Sequence, residues 1–160
     1  MARILVLEDD PDLRLLLRLV LERDGHVVVE AADGKQGLWA LSSSPYDLVT
    51  LDNSMPEMTG LELLAEISRI RLHERPVIVM VSALASRSDI HASRLAGADA
   101  FIAKPFSPSE LARQVRTLLK ERTQASGADA ATGAGHTTAA SPDPGPSLNS
   151  STAAVHSLVS

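Results

Sequence analysis

The first 122 residues alternate between two kinds of hydrophobic pattern. Short continuous apolar runs are typical of strands buried on both faces of a sheet. Between them lie longer segments in which apolar residues recur every three to four positions, which is typical of helices. Asp10 followed by Pro11 is a favourable start for the first of these helices. The pattern predicts strands over residues 4–7, 26–30, 47–51, 77–81 and 99–103, and helices over residues 11–23, 34–42, 60–70, 86–96 and 108–120.

This alternation predicts the fold class. Apolar strands separated by amphipathic helices indicate an α/β protein with a doubly wound, five-stranded parallel sheet covered by five helices on its two faces. Sites in such sheets lie beyond the carboxyl ends of the strands, where the strand order reverses. The residues that follow each strand are therefore the first candidates for function.

Charged and polar residues follow four of the five strands. Glu8 and Asp9 follow the first, Asp52 the third, Ser82 the fourth and Lys104 the fifth. In a sheet of order 2-1-3-4-5 the first and third strands are neighbours, so the three acids would converge. Crowded carboxylates repel one another, and their oxygens suit Mg²⁺ or Mn²⁺ as a bridging cation. With Lys104 and the Ser82 hydroxyl nearby, Asp52 would be placed to accept a phosphoryl group.

Composition and charge narrow the function further. The chain has 160 residues, a net charge of −5 and no cysteine. The negative charge argues against direct binding of nucleic acid through bulk electrostatics, and the missing cysteines exclude thiolate chemistry. The sequence contains neither a signal-peptide pattern nor an apolar run long enough to insert into a membrane. We therefore expect a cytoplasmic protein.

The composition changes near residue 122. Residues 123–160 consist largely of Ala, Gly, Ser, Thr and Pro and contain no Lys or Arg. A segment of this kind buries too little apolar surface to offset its ordering entropy. The sequence predicts two regions, a folded domain over residues 1–122 and a low-complexity, disordered tail over residues 123–160, without a DNA-binding output domain.

The folded region resembles the receiver domain of two-component response regulators. The resemblance is carried by four stretches in order: ILVLEDDPDLR, DLVTLDNSMPEMTGLELL, PVIVMVSA and GADAFIAKPF. It implies a flavodoxin-like receiver fold similar to that of the single-domain chemotaxis regulators. It also implies a phosphoprotein switch rather than an enzyme, with at most self-catalysed phosphotransfer and slow autodephosphorylation.

The resemblance implies a role for each acid. Asp52 is expected to be the phosphoacceptor, forming an aspartyl phosphate. Asp9 is expected to bind Mg²⁺ directly, Glu8 mainly through water, and Ser54 through its backbone carbonyl. Glu8 departs from the commoner Asp, and its extra methylene could move a metal-bound water.

The resemblance also implies the parts of the switch. Lys104 is expected to hold the phosphoryl group and to precede a cis peptide bond to Pro105. Ser82 is expected to be the switch hydroxyl, and Phe101 the aromatic ring that turns inward on phosphorylation.

Partners follow from the same resemblance. A sensor histidine kinase or a phosphotransfer protein is expected to donate the phosphoryl group, and an unknown downstream protein to read the result. The leucines Leu15 and Leu19 are left over from the buried stripe assigned to Leu13, Leu16, Leu17 and Val20, and we expect them to help dock the kinase. The protein is expected to be a monomer, or a weak dimer through the face formed by the fourth helix, fifth strand and fifth helix.

Two other readings remain open. A phosphatase of the haloacid dehalogenase type also uses an aspartate nucleophile and Mg²⁺, but it needs a second acid two residues later, where this chain has Ser54. A receiver that acts only as an unphosphorylated scaffold would need no complete site.

Overall fold

A computed structural model describes residues 1–72 and 74–131 of the chain, and within them five strands alternate with five helices. The strands are β1 (Arg3–Leu7), β2 (Val27–Ala31), β3 (Leu48–Asp52), β4 (Val77–Ser82) and β5 (Ala100–Ala103). The helices are α1 (Pro11–Arg23), α2 (Gly34–Ser43), α3 (Gly60–Arg69), α4 (Arg87–Ala96) and α5 (Pro108–Ala131). Apart from the end of α5, these bounds agree with the sequence pattern to within one residue.

The strands form one parallel sheet in the order β2-β1-β3-β4-β5, which confirms the predicted doubly wound receiver fold. Successive residues of β1 point to opposite faces, so Leu5 and Leu7 enter one hydrophobic core while Ile4 and Val6 enter the other. The first core packs mainly against α2 and α3, and the second against α1 and α5. Burial on both faces explains why the strands read as continuous apolar runs.

Side-chain caps fix the helix starts that follow the strands. Asp10 accepts hydrogen bonds from the backbone N–H groups of Asp12 and Leu13, as its place before Pro11 predicts. Helix α3 begins with a capping box between Thr59 and Glu62. These caps therefore fix the ends of the two loops, after β1 and β3, at the points where α1 and α3 begin.

The predicted end of the last helix is wrong. Helix α5 continues to Ala131 rather than ending at residue 120, so residues 123–131 of the predicted tail are helical. Alanine is abundant in this stretch and has the highest helix propensity of all residues, so a composition rich in Ala, Gly, Ser and Pro does not by itself end a helix. The remainder of the predicted tail, residues 132–160, lies outside the described residues, and its disorder stays a prediction.

Arg122 anchors this longer helix. Its Nη1 donates hydrogen bonds to the backbone carbonyls of Tyr46 and Asp47, and its Nη2 lies 3.0 Å from Glu74 Oε2. The guanidinium therefore joins α5 to the segments that lead into β3 and β4.

The predicted inward face of α1 needs one correction. Leu17 and Leu21 are its buried centre, whereas Leu16 is 39% exposed. The observed buried face of α1 is rotated about the helix axis relative to the predicted one. Leu16 therefore lies at the edge of the buried face, on the side of Leu19. Among the described residues, no helix is both long enough and apolar enough to cross a membrane.

Candidate phosphoacceptor site

Three carboxylates meet at the carboxyl edge of the sheet. Glu8 and Asp9 follow β1, Asp52 ends the neighbouring strand β3, and each offers an oxygen within 4.8 Å of the others. Glu8 and Asp52 are buried, with 1% and 3% of their surfaces exposed, whereas Asp9 is open to solvent. The parallel pairing of β1 and β3 brings the acids together, because it places the carboxyl ends of both strands at one edge.

Lys104 supplies the cation that faces these acids. Its Nζ lies 2.9 Å from Glu8 Oε2 and 3.3 Å from Asp52 Oδ1. Burial raises the pKa of Glu8, and repulsion from Asp52 adds to this, while the contact with Lys104 opposes it. Burial alone would lower the pKa of Lys104, but its hydrogen bond to Glu8 and the charge of Asp52 outweigh burial and raise it. Lys104 is therefore held as a cation beside the two buried acids.

The loop after Asp52 is tightly connected to the start of α3. The Ser54 N–H donates to Asp52 Oδ1 at 3.2 Å, and the Gly60 N–H donates to the Asn53 carbonyl at 3.1 Å. A Cβ atom at Gly60 would lie 2.7 Å from the Asp52 carbonyl oxygen and 2.9 Å from the Asn53 Cα. Only glycine allows the helix to approach the chain this closely, and the approach fixes the direction of the loop.

The other predicted site residues occupy different positions around the acids. Ser82 ends β4, is fully buried, and accepts a hydrogen bond from the Leu84 N–H through Oγ at 3.1 Å. Phe101 is half-buried in β5 and packs against the core that contains α2 and α3. The peptide bond between Lys104 and Pro105 is cis. These residues follow or lie in the two strands beyond β3.

Arg14 also contacts the loop that carries the acids, which the motifs in the sequence do not indicate. Its Nη1 donates hydrogen bonds to the backbone carbonyls of Glu8 at 2.7 Å and Asp9 at 3.3 Å. A helical side chain points back toward the helix N-terminus, so an arginine in the first turns of α1 can reach the loop that precedes it. That position was the available signal.

The donor set fits a hard divalent cation. Side-chain ligands available at the cluster are carboxylate oxygens, and two of the three acids are buried. Burial of like charges is costly unless cations neutralise them. The single positive charge of Lys104 faces two buried carboxylates, so it balances only one of them. The cluster could therefore hold Mg²⁺.

Comparisons with known proteins identify the family. The family model described as the response regulator receiver domain matches residues 4–116. The chain belongs to this family. Members of the family are switches of two-component signalling rather than conventional enzymes.

Individual relatives agree with this assignment. The chain is 35% identical over 125 residues to the transcriptional regulatory protein ResD of Bacillus subtilis, covering 78% of this chain and 51% of ResD. It is 35% identical over 134 residues to CseB of Streptomyces coelicolor, covering 84% of this chain and 56% of CseB. The chain thus spans about half the length of these curated relatives.

Solved receiver structures have the same fold. A CheY-like receiver domain protein from Methanospirillum hungatei is 31% identical and superposes with a TM-score of 0.72, covering 78% of this chain and 98% of that one. The response regulator TrrA of Thermotoga maritima, solved in complex with Mg²⁺ and BeF, is 37% identical with a TM-score of 0.65, covering 74% of this chain and 99% of that one.

Proposed function

We propose that the protein is a phosphorylation switch in which Asp52 accepts a phosphoryl group from phosphohistidine on a sensor histidine kinase or a phosphotransfer protein. The observation that carries the proposal is the position of Asp52, a nearly buried carboxylate at a strand end between two further acids and Lys104. A carboxylate oxygen of Asp52 would form the new O–P bond as the N–P bond of the donor breaks. The donor imidazole would keep the bonding electron pair.

Lys104 would stabilise this transfer electrostatically. Its ammonium lies 3.3 Å from Asp52 Oδ1, and its pKa is raised by the neighbouring acids, so the group is charged throughout the physiological range. A fixed cation at this distance favours the negative charge carried by the phosphoryl oxygens. Before transfer, the same ammonium offsets part of the negative charge of the two buried acids.

Mg²⁺ would be held by Asp9 and Asp52 directly, by Glu8 mainly through water, and by the backbone carbonyl of Ser54. When bound, the ion would supply positive charge for the phosphoryl oxygens. The Thermotoga maritima relative was solved in complex with Mg²⁺ and BeF, which supports Mg²⁺ as the cation. Mn²⁺ has the same preference for oxygen ligands and should replace it.

The new charge on Asp52 would be transmitted through β4 and β5. The Ser82 hydroxyl would turn toward the phosphoryl group, and Phe101 would move into the space that the serine leaves. Such a change alters the surface formed by α4, β5 and α5, and with it the affinity for a downstream protein or for a second copy. The phosphoryl group can shift the equilibrium only by its differential interaction with the two states.

Exposed leucines on α1 suit contact with the phosphoryl donor. Leu15 and Leu19 have 43% and 53% of their surfaces exposed, and Leu16 lies beside them. The helix starts directly after the loop that carries Glu8 and Asp9, so a protein docked here would reach the acids. We therefore assign these leucines to the docking of the donor.

The test of the phosphoacceptor uses a small donor, so that docking plays no part. The wild-type chain is incubated with phosphoramidate and Mg²⁺, and its intact mass is measured. We expect one phosphoryl group per chain in the wild type and in the exposed-surface control Asp12→Asn, and none in Asp52→Asn. Equal labelling of Asp52→Asn would overturn the proposal, and rapid multiple turnover of p-nitrophenyl phosphate would favour the phosphatase reading.

The test of docking compares two donors. Leu15→Lys and Leu19→Lys should slow phosphotransfer from a histidine kinase about tenfold or more, since a charge placed in an apolar contact costs at least 1.4 kcal/mol. Labelling by acetyl phosphate should be unchanged. Equal loss with both donors would contradict docking.

A further inference from the structure

We propose that Arg14 is a positioning residue that sets the affinity of the acidic site for its divalent cation. Its guanidinium holds the loop between β1 and α1 in the conformation that lets Glu8 and Asp9 converge on Asp52. This inference deepens the proposed function and rests on it, because it concerns the same site.

The contacts of Arg14 are made to the backbone of the loop rather than to the acidic side chains. Nη1 donates to the carbonyl oxygen of Glu8 at 2.7 Å and to that of Asp9 at 3.3 Å. These two carbonyls belong to the peptide units that immediately follow the two acids, so the bonds limit rotation of the backbone that carries both carboxylates. The Asp10 N–H adds a third restraint, since it donates to Glu8 Oε1 at 3.2 Å.

The guanidinium is itself held from the other side. Arg14 Nε lies 3.6 Å from Glu30 Oε1, and Glu30 is paired in register with Val6 at the end of the adjacent strand β2. Only 20% of the Arg14 side chain is exposed. An arginine fixed between a strand and a loop loses little further entropy on bonding, so its geometry is well defined.

Arg18 provides a natural comparison. It is one helical turn further along α1 and shares the same acid, with Nη1 2.9 Å from Glu30 Oε2, and it also approaches Glu22. Arg18 donates a hydrogen bond to Glu30, whereas Arg14 donates to the loop carbonyls. The two residues therefore carry the same charge on the same helix face but differ in contact with the loop.

Positioning and simple electrostatics predict opposite changes in Mg²⁺ affinity when Arg14 is removed. A guanidinium close to a cation site repels the cation, so removing the charge alone should tighten Mg²⁺ binding. If Arg14 positions the loop, removing it should instead weaken binding, because the two carboxylates lose their common orientation. Partners that orient metal ligands typically change metal affinity by about 10–100-fold when they are removed.

The experiment measures cation affinity without phosphorylation. Mn²⁺ binding to the full chain is followed by electron paramagnetic resonance, and Mg²⁺ binding by calorimetry, for the wild type, Arg14→Met, Arg14→Lys and Arg18→Met. We expect the dissociation constant to rise about tenfold or more in Arg14→Met. Arg14→Lys should recover part of this loss, because an ammonium can donate to the same carbonyls, and Arg18→Met should remain within about threefold of the wild type. Unchanged or tighter binding by Arg14→Met would overturn the proposal, as would an equal loss in Arg18→Met.

A second measurement separates positioning from general destabilisation. The rate of labelling by phosphoramidate is recorded as a function of Mg²⁺ concentration, together with urea unfolding. Positioning predicts that Arg14→Met needs more Mg²⁺ for half-maximal labelling while its rate at saturating Mg²⁺ stays close to that of the wild type. A loss of stability with an unchanged Mg²⁺ requirement would overturn the proposal. If Arg14→Met does not fold, Arg14→Lys with an intermediate affinity still tests it.

The two proposals fail in different ways. A wild-type chain that binds Mg²⁺ but takes no phosphoryl group would refute the proposed function and leave the role of Arg14 intact. A wild-type chain that is labelled normally, with Arg14→Met binding Mg²⁺ equally well, would refute only the role of Arg14.

Discussion

Replacing Gly60 with alanine should destabilise the protein and displace Asp52, the proposed phosphoacceptor. The added Cβ would lie 2.7 Å from the Asp52 carbonyl oxygen, 2.9 Å from the Asn53 Cα and 3.0 Å from the Met80 Cε. Two of these three atoms belong to the backbone, which cannot turn aside as a flexible side chain can. The strand end or the start of α3 must therefore move.

The expected size of the effect follows from two opposing contributions. Forcing extra volume into a packed site typically costs about 1–3 kcal/mol. Alanine in place of glycine gains at most about 1 kcal/mol in helix propensity, and Gly60 is only the first residue of α3. The clash dominates, so we expect a net loss of about 1–2 kcal/mol and, because Asp52 moves, slower labelling by phosphoramidate by about tenfold or more.

The assay is urea unfolding combined with the rate of labelling. Gly127→Ala is the matched control, since Gly127 is exposed within α5 and nothing lies within 4 Å of its added Cβ. The control should be more stable than the wild type by about 0.5–1 kcal/mol, with unchanged labelling. A Gly60→Ala protein with an unchanged urea midpoint and an unchanged rate would refute the reasoning.

Three further changes should alter stability. Thr50→Val should raise the free energy of unfolding by about 1 kcal/mol, because the buried Thr50 hydroxyl has no hydrogen-bond partner among the described residues. Burial lowers the pKa of His26, so its stabilising contribution is present above pH 6.5 and is lost as the pH falls. His26→Gln should therefore flatten the acid side of a profile of melting temperature against pH. Arg122→Met should cost about 1–3 kcal/mol in urea unfolding, because Arg122 bonds loop carbonyls.

Each of these has an outcome that contradicts it. A Thr50→Val protein less stable than the wild type would show that the hydroxyl is satisfied in solution. An identical pH profile for His26→Gln and the wild type would remove His26 as the titrating group. An Arg122→Met protein of wild-type stability would mean that α5 is held by its apolar face alone.

Much of the fold could be predicted because buried positions are occupied mainly by apolar residues. The residues of β4 before Ser82 are all apolar because both faces of the sheet are covered, and the spacing of apolar residues in the helices shows which face packs on the sheet. The end of α5 could not be predicted from composition, since exposed alanine is compatible with both a helix and a tail. The rim position of Leu16 depends on how α1 is rotated on the sheet, which spacing defines only to within one residue.

The site was predictable to the extent that topology determines it. Parallel strands bring Glu8, Asp9, Asp52 and Lys104 to one edge, and their residue types suggest the chemistry. The direct ion pair between Glu8 and Lys104 depends on the reach of two side chains. Arg14 contacts backbone carbonyls, which every residue possesses, so only its position in the first turns of α1 could have indicated these contacts.

The ion pair between Glu8 and Lys104 has a consequence for biosynthesis. Its partners are 96 residues apart in the chain, and β5, which leads into Lys104, is the last strand to be made within the part of the chain that the structure describes. Ribosomes add about 5–20 residues per second, so a growing chain carries its acids for several seconds before the neutralising lysine exists. During that interval the acids repel one another and Asp52 lacks its fixed cation. Asp52 therefore gains its fixed cation only after β5 and Lys104 have been made.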